Sequence, residues 1–216
     1  MDIDINYQVI TTLFYLTMFV NRVEFPYMEE KEIKFLDVDV ESLKKQLLEI
    51  GATKQGEYFY KRTVFDYPDW RLNSGGAWLR LRTDGTVTTL TYKKRLGMKS
   101  SDSLMDDGMH EIETIVEDYQ KTYDILLAIG MVIKREQENK RTRYVRGDVE
   151  FDIDTHPFIP TYLEIEGKEW GSVEQACNDL SLTFSEGLRT STMQIYETHG
   201  INEDDYKRIA FSGLEK

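Results

Sequence analysis

Charged and apolar residues alternate in short runs along this chain, and the alternation limits the folds that it can adopt. The run EKEIK places Glu30, Glu32 and Lys34 on one side of an extended strand, because successive side chains of a strand point to opposite faces. The runs at 79–82 (LRLR) and 163–166 (LEIE) repeat the pattern with two arginines and with two glutamates. Such alternation predicts β-strands with one apolar and one ionic face.

Turn signals divide the chain into eight predicted strands. Turns such as SGG, DG and RGD lie between neighbouring runs, which is typical of an antiparallel sheet. The first strand contains EKEIK. The other seven are predicted at residues 57–66, 76–84, 87–95, 108–117, 132–146, 148–155 and 161–167.

Two of the strands are each followed by a predicted helix of the same form. Asp39 is the expected N-cap of the first helix and Gly51 its C-terminal glycine, and Gly130 ends the second helix. The spacing from Glu32 to Gly51 equals the spacing from Glu111 to Gly130. The chain therefore contains an internal repeat of strand followed by helix.

The remaining sequence fits a single domain. We expect residues 28–216 to form it, with a third helix starting at Ser172 and a fourth at 188–199. Residues 1–27 are a leader of uncertain status. Its apolar run is shorter than the roughly 20 residues that span a bilayer, and acidic rather than basic residues precede it. We therefore expect no membrane anchor, and Met28 is the expected natural start.

Composition narrows the classes of function. The net charge of -12 argues against nucleic acid as a partner, because phosphate backbones require a basic surface. A single cysteine excludes an internal disulfide and favours a reducing, cytoplasmic location. No HExxH, CxxC or GxxxxGK[ST] motif is present. The sequence leaves a monomer and a homodimer open.

The ionic faces are sorted by charge into glutamate pairs, arginine pairs and an aspartate pair. An ordinary antiparallel sheet with one face in water explains the alternation but not this sorting. A closed barrel with helices outside would bring the cationic and anionic faces together around an interior. The side chains expected there are Glu30, Glu32, Lys34, Arg80, Arg82, Lys93, Glu111, Glu113, Arg141, Arg143, Asp152, Asp154, Glu164 and Glu166.

The two kinds of charge indicate the ligand of such an interior. Clustered arginines and lysines form charge-assisted hydrogen bonds with phosphate oxygens. Carboxylates without histidine or cysteine nearby suit the hard cations magnesium or manganese (Mg²⁺ or Mn²⁺) rather than zinc. The predicted site is therefore one for a metal-complexed chain of phosphates.

The chain resembles a known family at seven motifs. EKEIK matches the ExExK signature of the CYTH domain, the family of triphosphate tunnel metalloenzymes, and LRLR, LTYKKR, HEIE, NKRTRY, FDID and LEIE resemble its later motifs in order. The resemblance spans about residues 28–200. It implies an α+β fold, an eight-stranded antiparallel β-barrel that forms a triphosphate tunnel with helices packed outside.

The resemblance also implies roles for individual residues. The implied metal ligands are Glu30, Glu32, Glu111, Glu113, Asp152, Glu164 and Glu166. The implied ligands of a small-molecule triphosphate are Lys34, Arg80, Arg82, Lys93, Lys140, Arg141 and Arg143, with Asp152 positioning a basic residue. The implied catalytic residues are Glu30, Glu32, Lys93, Glu111 and Glu113.

Three functions share these residues. The first is a triphosphatase, in which water attacks the terminal phosphorus of tripolyphosphate or a nucleoside triphosphate. The second is a class IV adenylate cyclase, and the third is a non-catalytic polyphosphate- or nucleotide-binding module. Val64 stands where the family's thiamine triphosphatases have a tyrosine, and Thr192 or a neighbour where they have a lysine, which argues against thiamine triphosphate. Hydrolysis is the reading we favour.

Overall fold

A computed structural model of the chain describes residues 31–95 and 109–216, so Glu30 and the leader lie outside the described residues. The described strands are β1 (Lys31–Phe35), β2 (Thr53–Asp66), β3 (Ala77–Thr83), β4 (Thr88–Arg95), β5 (Met109–Val116), β6 (Val132–Arg146), β7 (Val149–Thr155), β8 (Tyr162–Gly167), β9 (Arg208–Ala210) and β10 (Gly213–Glu215). The α-helices are α1 (Val40–Glu49), α2 (Arg71–Ser74), α3 (Tyr119–Ala128), α4 (Trp170–Asp179) and α5 (Thr192–Thr198). Short 3₁₀ turns cover Phe184–Glu186 and Glu203–Asp205.

Eight strands form one antiparallel sheet in the order β1-β8-β7-β6-β2-β3-β4-β5. The sheet curls, so that the inward faces of strands from one end to the other line a common cavity. Within residues 31–95 and 109–216, no ladder joins the end strands β1 and β5. The predicted α+β class and the eight antiparallel strands are confirmed, in the form of a half-barrel.

The apolar outer face of the sheet is covered by helices. Leu43 and Leu47 of α1 and Val173 of α4 pack in one cluster with apolar side chains of β1, β6, β7 and β8. Leu126 of α3 packs with Leu81 and other residues on the outer face of β2, β3 and β4. Burying one such side chain contributes about 1.5–3 kcal/mol, so the outer face holds the sheet together and leaves the inner face for polar groups.

The two repeated helices have the predicted ends. The Asp39 carboxylate accepts hydrogen bonds from the backbone N–H groups of Glu41 and Ser42 at 3.1 Å, which satisfies donors of the first turn. Gly51 and Gly130 follow α1 and α3 with φ angles of 82° and 93°. Glycine adopts this left-handed conformation without a steric penalty, so it ends both helices.

The C-terminal part of the chain differs from the prediction. The helix predicted at 188–199 begins only at Thr192, because Leu188 pairs with Lys34 of β1 and Ser191 caps the helix. The helix predicted to start at Ser172 is α4, which begins at Trp170, two residues before the predicted start. The sequence also did not predict α2 or the hairpin β9–β10, whose first strand runs parallel to β6.

The structure describes residues 31–95 and 109–216, and none of the helices in these ranges is long and apolar enough to cross a membrane.

Candidate active site

The inner face of the curled sheet encloses a cavity of about 410 Å³. Its lining is dominated by charge, although the chain as a whole is strongly acidic. The cationic lining side chains are Lys34, Arg62, Arg80, Arg82, Lys93, Arg95, Lys134, Arg135, Arg141 and Arg143. The anionic ones are Glu32, Glu111, Glu113, Glu150, Asp154, Glu164, Glu166 and Glu203. Cations outnumber anions here, which makes the cavity a site for an anion.

Three carboxylates gather at one place in the cavity. Glu32 on β1 lies directly opposite Glu166 on β8, and Glu164 is two residues further along the same face. One oxygen of each lies within 4.8 Å of the others. Like charges at this separation repel, so the cluster requires a cation.

Lys34 supplies part of that compensation from within the protein. Its ammonium group contacts Glu32 and lies 3.0 Å from a Glu164 oxygen, and the residue is 2% exposed. Burial alone would lower the pKa of Lys34, but the charges of Glu164 and Glu32 outweigh burial and hold that pKa well above its ordinary value. Likewise, burial opposes ionisation of Glu164, yet Lys34 and Arg141 hold the pKa of Glu164 well below its usual range.

Two arginines of β6 are held in place by acids of β7. The Arg141 Nε atom donates to Asp154 at 2.8 Å, and its Nη2 atom donates to Glu164 at 3.1 Å. The Arg143 Nε atom donates to Asp152 at 2.8 Å. Asp152 is 1% exposed and pairs with both guanidinium groups, so it orients them from beneath the cavity surface. The positioning role of Asp152 stays a prediction.

The opposite wall of the cavity consists of β3, β4 and β5. Lys93 lies 2.6 Å from Glu111, its partner in the strand register. The Thr91 hydroxyl donates to Glu113 at 2.6 Å, and Arg80 lies 3.6 Å from the same carboxylate. Glu111 and Glu113 therefore stand among cations. The close acidic cluster found in the described part of the chain is instead Glu32, Glu164 and Glu166.

The arginines of this wall are close enough to perturb one another. Burial, followed by the charges of Arg82 and Arg62, lowers the pKa of Arg80 to about 9. A guanidinium group stays protonated in proteins, so Arg80 is a buried cation whose nearby glutamates, Glu111 and Glu113, lie 3.8 and 3.6 Å away. A bound anion would stabilise this cation.

Of the predicted site residues that the structure describes, two do not line the cavity: Lys140, and Asp152, which is buried and is not part of the three-carboxylate cluster. Eleven of the predicted residues line it: Glu32, Lys34, Arg80, Arg82, Lys93, Glu111, Glu113, Arg141, Arg143, Glu164 and Glu166. Lys140 lies on the other face of β6, where its ammonium group is exposed and stands 4.9 Å from the Phe211 ring. Because neighbours in a strand point to opposite faces, Lys140 and Arg141 cannot both face the cavity.

The structure adds lining residues that sequence analysis missed. Arg62 on β2 and the inward row Arg135, Gln137 and Asn139 on β6 line the same cavity. The alternation of strand faces could have predicted these residues. Arg62 lies two residues before Val64 and shares its face, and the row on β6 lies at even spacings from Arg141 and shares the face of Arg141. Glu203 also lines the cavity, from a 3₁₀ turn that has no periodic signal.

The residues present fit a divalent metal ion. Three convergent carboxylates without histidine or cysteine form a hard oxygen donor set. Their oxygens lie close enough together to coordinate one divalent cation. Glu32, Glu164 and Glu166 would hold such an ion. The nearby guanidinium groups would then bind an anion beside it.

The chain is similar to one family and to several solved structures. Its sequence matches the CYTH domain over residues 28–193. No curated protein gives a significant match. The PH1012 protein of Pyrococcus horikoshii OT3 has 19% identity and a TM-score of 0.62, covering 77% of this chain and 98% of its own.

Two further solved structures have the same fold. A proposed adenylate cyclase from Vibrio parahaemolyticus has 13% identity and a TM-score of 0.65, covering 79% of this chain and 99% of its own. HpAC1 of Hippeastrum, a proposed adenylyl cyclase with a dominant triphosphatase activity, has 15% identity and a TM-score of 0.58. That alignment covers 79% of this chain and 96% of HpAC1.

Proposed function

Because the chain belongs to the CYTH domain family, we propose that it is a divalent-metal-dependent enzyme that binds a triphosphate in its cavity and hydrolyses it. The observation that carries this proposal is the pairing of a three-carboxylate cluster with an excess of cations in one cavity of about 410 Å³. The cations match the charge of a triphosphate, and the carboxylates match the metal that accompanies it.

The cationic side chains bind and orient the substrate in this proposal. Arg141 and Arg143 are held by Asp152 and Asp154, which fixes the orientation of both guanidinium groups. On the facing wall, Arg80 and its neighbours lie among glutamates that leave part of their charge uncompensated. Because both walls are preorganised, the phosphate chain is held in a single alignment, which favours in-line attack at one phosphorus.

Hydrolysis breaks the bond between the terminal phosphorus and the bridging oxygen, and it releases orthophosphate and the remaining diphosphate. A divalent ion held by Glu32, Glu164 and Glu166 would supply charge compensation and polarise a phosphoryl group. Lys34 keeps this carboxylate cluster assembled. We propose that Glu111 and Glu113 orient the attacking water from the facing wall.

An adenylate cyclase is the second candidate, and one observation favours it. Trp78 lines the same cavity as the phosphate-binding cations and could stack on a base. Two of the solved structures with this fold are also proposed cyclases. The chemistry would differ in the nucleophile and in the bond broken: the ribose 3′ hydroxyl would attack the α-phosphorus, and the bond to the bridging oxygen would break to release pyrophosphate.

Product analysis tests the proposal. The full chain is incubated with tripolyphosphate or ATP and with Mg²⁺ or Mn²⁺, and the products are followed by ³¹P NMR. Orthophosphate from tripolyphosphate without cyclic AMP from ATP supports the triphosphatase. Cyclic AMP with an equal amount of pyrophosphate supports the cyclase, and tight binding without either product leaves the binding module.

A pair of matched variants tests the metal-binding residues. Glu166→Gln removes one charge from the carboxylate cluster, whereas Glu174→Gln makes the same change at an exposed position on α4. We expect Glu166→Gln to abolish turnover and to weaken Mg²⁺ binding measured by calorimetry. Equal activity of both variants would contradict the metal assignment.

A further inference from the structure

Arg62 lies on the inner face of the sheet, in a position that none of the family motifs includes. It faces Arg82 across the β2–β3 ladder and Gln137 across the β2–β6 ladder. Its side chain lines the cavity. The adjacent Lys61 points to the opposite face and is exposed, so the two neighbours place one cation inside and one in water.

The charge of Arg62 lacks a carboxylate partner in the described structure. Among residues 31–95 and 109–216, no salt bridge to Arg62 lies within 4.0 Å, and its buried Nε–H group has no hydrogen-bond acceptor. The carboxylates whose charges act on it, Glu203 and Asp154, are engaged elsewhere. Glu203 lies 2.8 Å from Arg135, and Asp154 accepts from Arg141 at 2.8 Å.

A neutral side chain holds Arg62 in place. The Arg62 Nη2 atom lies 3.1 Å from His156 Nδ1, and the other ring nitrogen of His156 lies 3.1 Å from the Tyr162 hydroxyl. His156 is 4% exposed, and burial together with the charges of Arg62 and Arg141 holds the pKa of His156 well below its ordinary value. The imidazole is therefore neutral. It accepts from Arg62 at Nδ1, donates to Tyr162, and fixes the guanidinium without neutralising it.

Arg62 completes a group of three guanidinium groups on β2 and β3. Its charge adds to that of Arg82 in opposing protonation of Arg80. The described contacts of Arg80 and Arg82 with Glu113 are long, at 3.6 and 3.8 Å. Burying cations without full compensation is unfavourable unless another anion is bound.

We propose that Arg62 is a further phosphate-binding residue of this enzyme and that, together with Arg80 and Arg82, it binds one phosphoryl group of the triphosphate. The inference rests on the proposed function, because it takes the triphosphate as the ligand of the cavity. His156 acts as the positioning residue that aims the Arg62 fork. Because no carboxylate pairs with Arg62 in the described structure, the part of its guanidinium group that lines the cavity is available to a phosphate oxygen.

Binding of tripolyphosphate to the metal-free protein tests this role. Isothermal titration calorimetry in EDTA compares the full chain with Arg62→Gln and with the matched control Lys61→Gln, which removes the same charge from the outer face of β2. We expect Arg62→Gln to weaken binding by about 10- to 100-fold, the effect of losing a charged hydrogen bond. Lys61→Gln is expected to change affinity less than about 3-fold, because salt screens a distant exposed charge.

Unfolding experiments separate a binding role from a structural one. Because the ligand-free protein holds Arg62 without a counter-ion, Arg62→Gln should keep or raise the midpoint of urea unfolding while affinity falls. The introduced glutamine can still donate to His156. Arg62→Lys, which keeps a cation but loses the fork, should give an intermediate affinity.

The outcomes distinguish this inference from the proposed function. If the wild-type chain binds tripolyphosphate and Arg80→Ala weakens binding but Arg62→Gln and Arg62→Lys do not, Arg62 has no role in the site and the inference is wrong. A lower unfolding midpoint for Arg62→Gln with unchanged affinity would also overturn it. If the wild-type chain neither binds nor hydrolyses tripolyphosphate, the proposed function itself is wrong.

Discussion

Replacing Lys34 by methionine removes the ammonium group that lies inside the carboxylate cluster. Methionine has a similar length and no charge, so the change tests electrostatics more than packing. The variant would leave Glu32, Glu164 and Glu166 within 4.8 Å of one another without their buried cation. We therefore expect a large loss of stability in the absence of metal.

The structure sets the size of the effect. At 3.0 Å and an effective dielectric constant of about 20, the attraction between the Lys34 ammonium and one Glu164 oxygen is about 5.5 kcal/mol. Part of this attraction offsets the free-energy cost of desolvating both groups. Replacing Lys34 removes the desolvation cost of the lysine. The expected net loss is about 3–5 kcal/mol, typical of removing one partner from a buried pair.

Urea unfolding in EDTA, followed by circular dichroism, measures this loss. Lys44→Met is the matched control, because Lys44 forms a 2.9 Å pair with Glu41 at the surface of α1. Such exposed pairs contribute less than about 1 kcal/mol. Adding Mg²⁺ should then stabilise Lys34→Met more than it stabilises the wild type, since the variant has lost the internal cation of the cluster.

Two results would refute the reasoning. A loss for Lys34→Met within about 1 kcal/mol of the loss for Lys44→Met would show that Lys34 does not hold the carboxylates together. Equal stabilisation of variant and wild type by Mg²⁺ would show that the three carboxylates are not the cation site.

Three further predictions concern the protein outside this cluster. The pKa of His156 is lowered in the folded state, whereas in the unfolded state it is about 6.5. Below pH 6.5 the unfolded state therefore binds one more proton than the folded state. The free energy of unfolding then falls by up to about 1.4 kcal/mol per pH unit. His156→Gln should flatten the slope of unfolding free energy between pH 7 and 5, and the exposed His199→Gln should not. Asp39→Ala should lower stability by about 1 kcal/mol in thermal unfolding through loss of the cap, whereas Asp39→Asn should keep most of it. Gly187→Ala should destabilise the fold by about 1–3 kcal/mol in urea unfolding, because its Cβ would overlap the buried Ile33 side chain; an unchanged midpoint would show that this contact is relaxed in solution.

Local alternation was enough to predict the eight strands of the main sheet, although not β9 and β10. The strand predicted at 132–146 coincides with β6 (Val132–Arg146), and the others differ from the observed strands by a few residues at the ends. The reason is that each strand has a different chemistry on its two faces, which fixes the side that turns inward. The turn glycines and the Asp39 cap supplied the boundaries.

Contacts between distant segments explain what the sequence did not predict. Arg62 was within reach of the sequence, because it shares the parity of Val64 and the bulge of β2 lies beyond both residues, between Val64 and Phe65. Glu203 reaches the cavity only because residues 192–210 fold back along β6. Neither a period nor a motif marks such an approach, since it depends on packing of Ile195 and Ile209 at the end of the sheet.

Strand β6 pairs with β2, β7 and β9, and the last of these pairings affects how the protein folds during synthesis. Arg135 donates a hydrogen bond to Asp204, which follows it by 69 residues in sequence. Gln137 donates one to Glu203, which follows it by 66 residues. Such distant contacts form late in folding, since a long loop must close before they can stabilise anything. During synthesis, the ribosome must therefore release the chain beyond Ala210 before this end of the cavity can close. Until Glu203 and Asp204 are in place, Arg135 lacks these carboxylate partners, and this end of the cavity carries more uncompensated positive charge than in the folded protein.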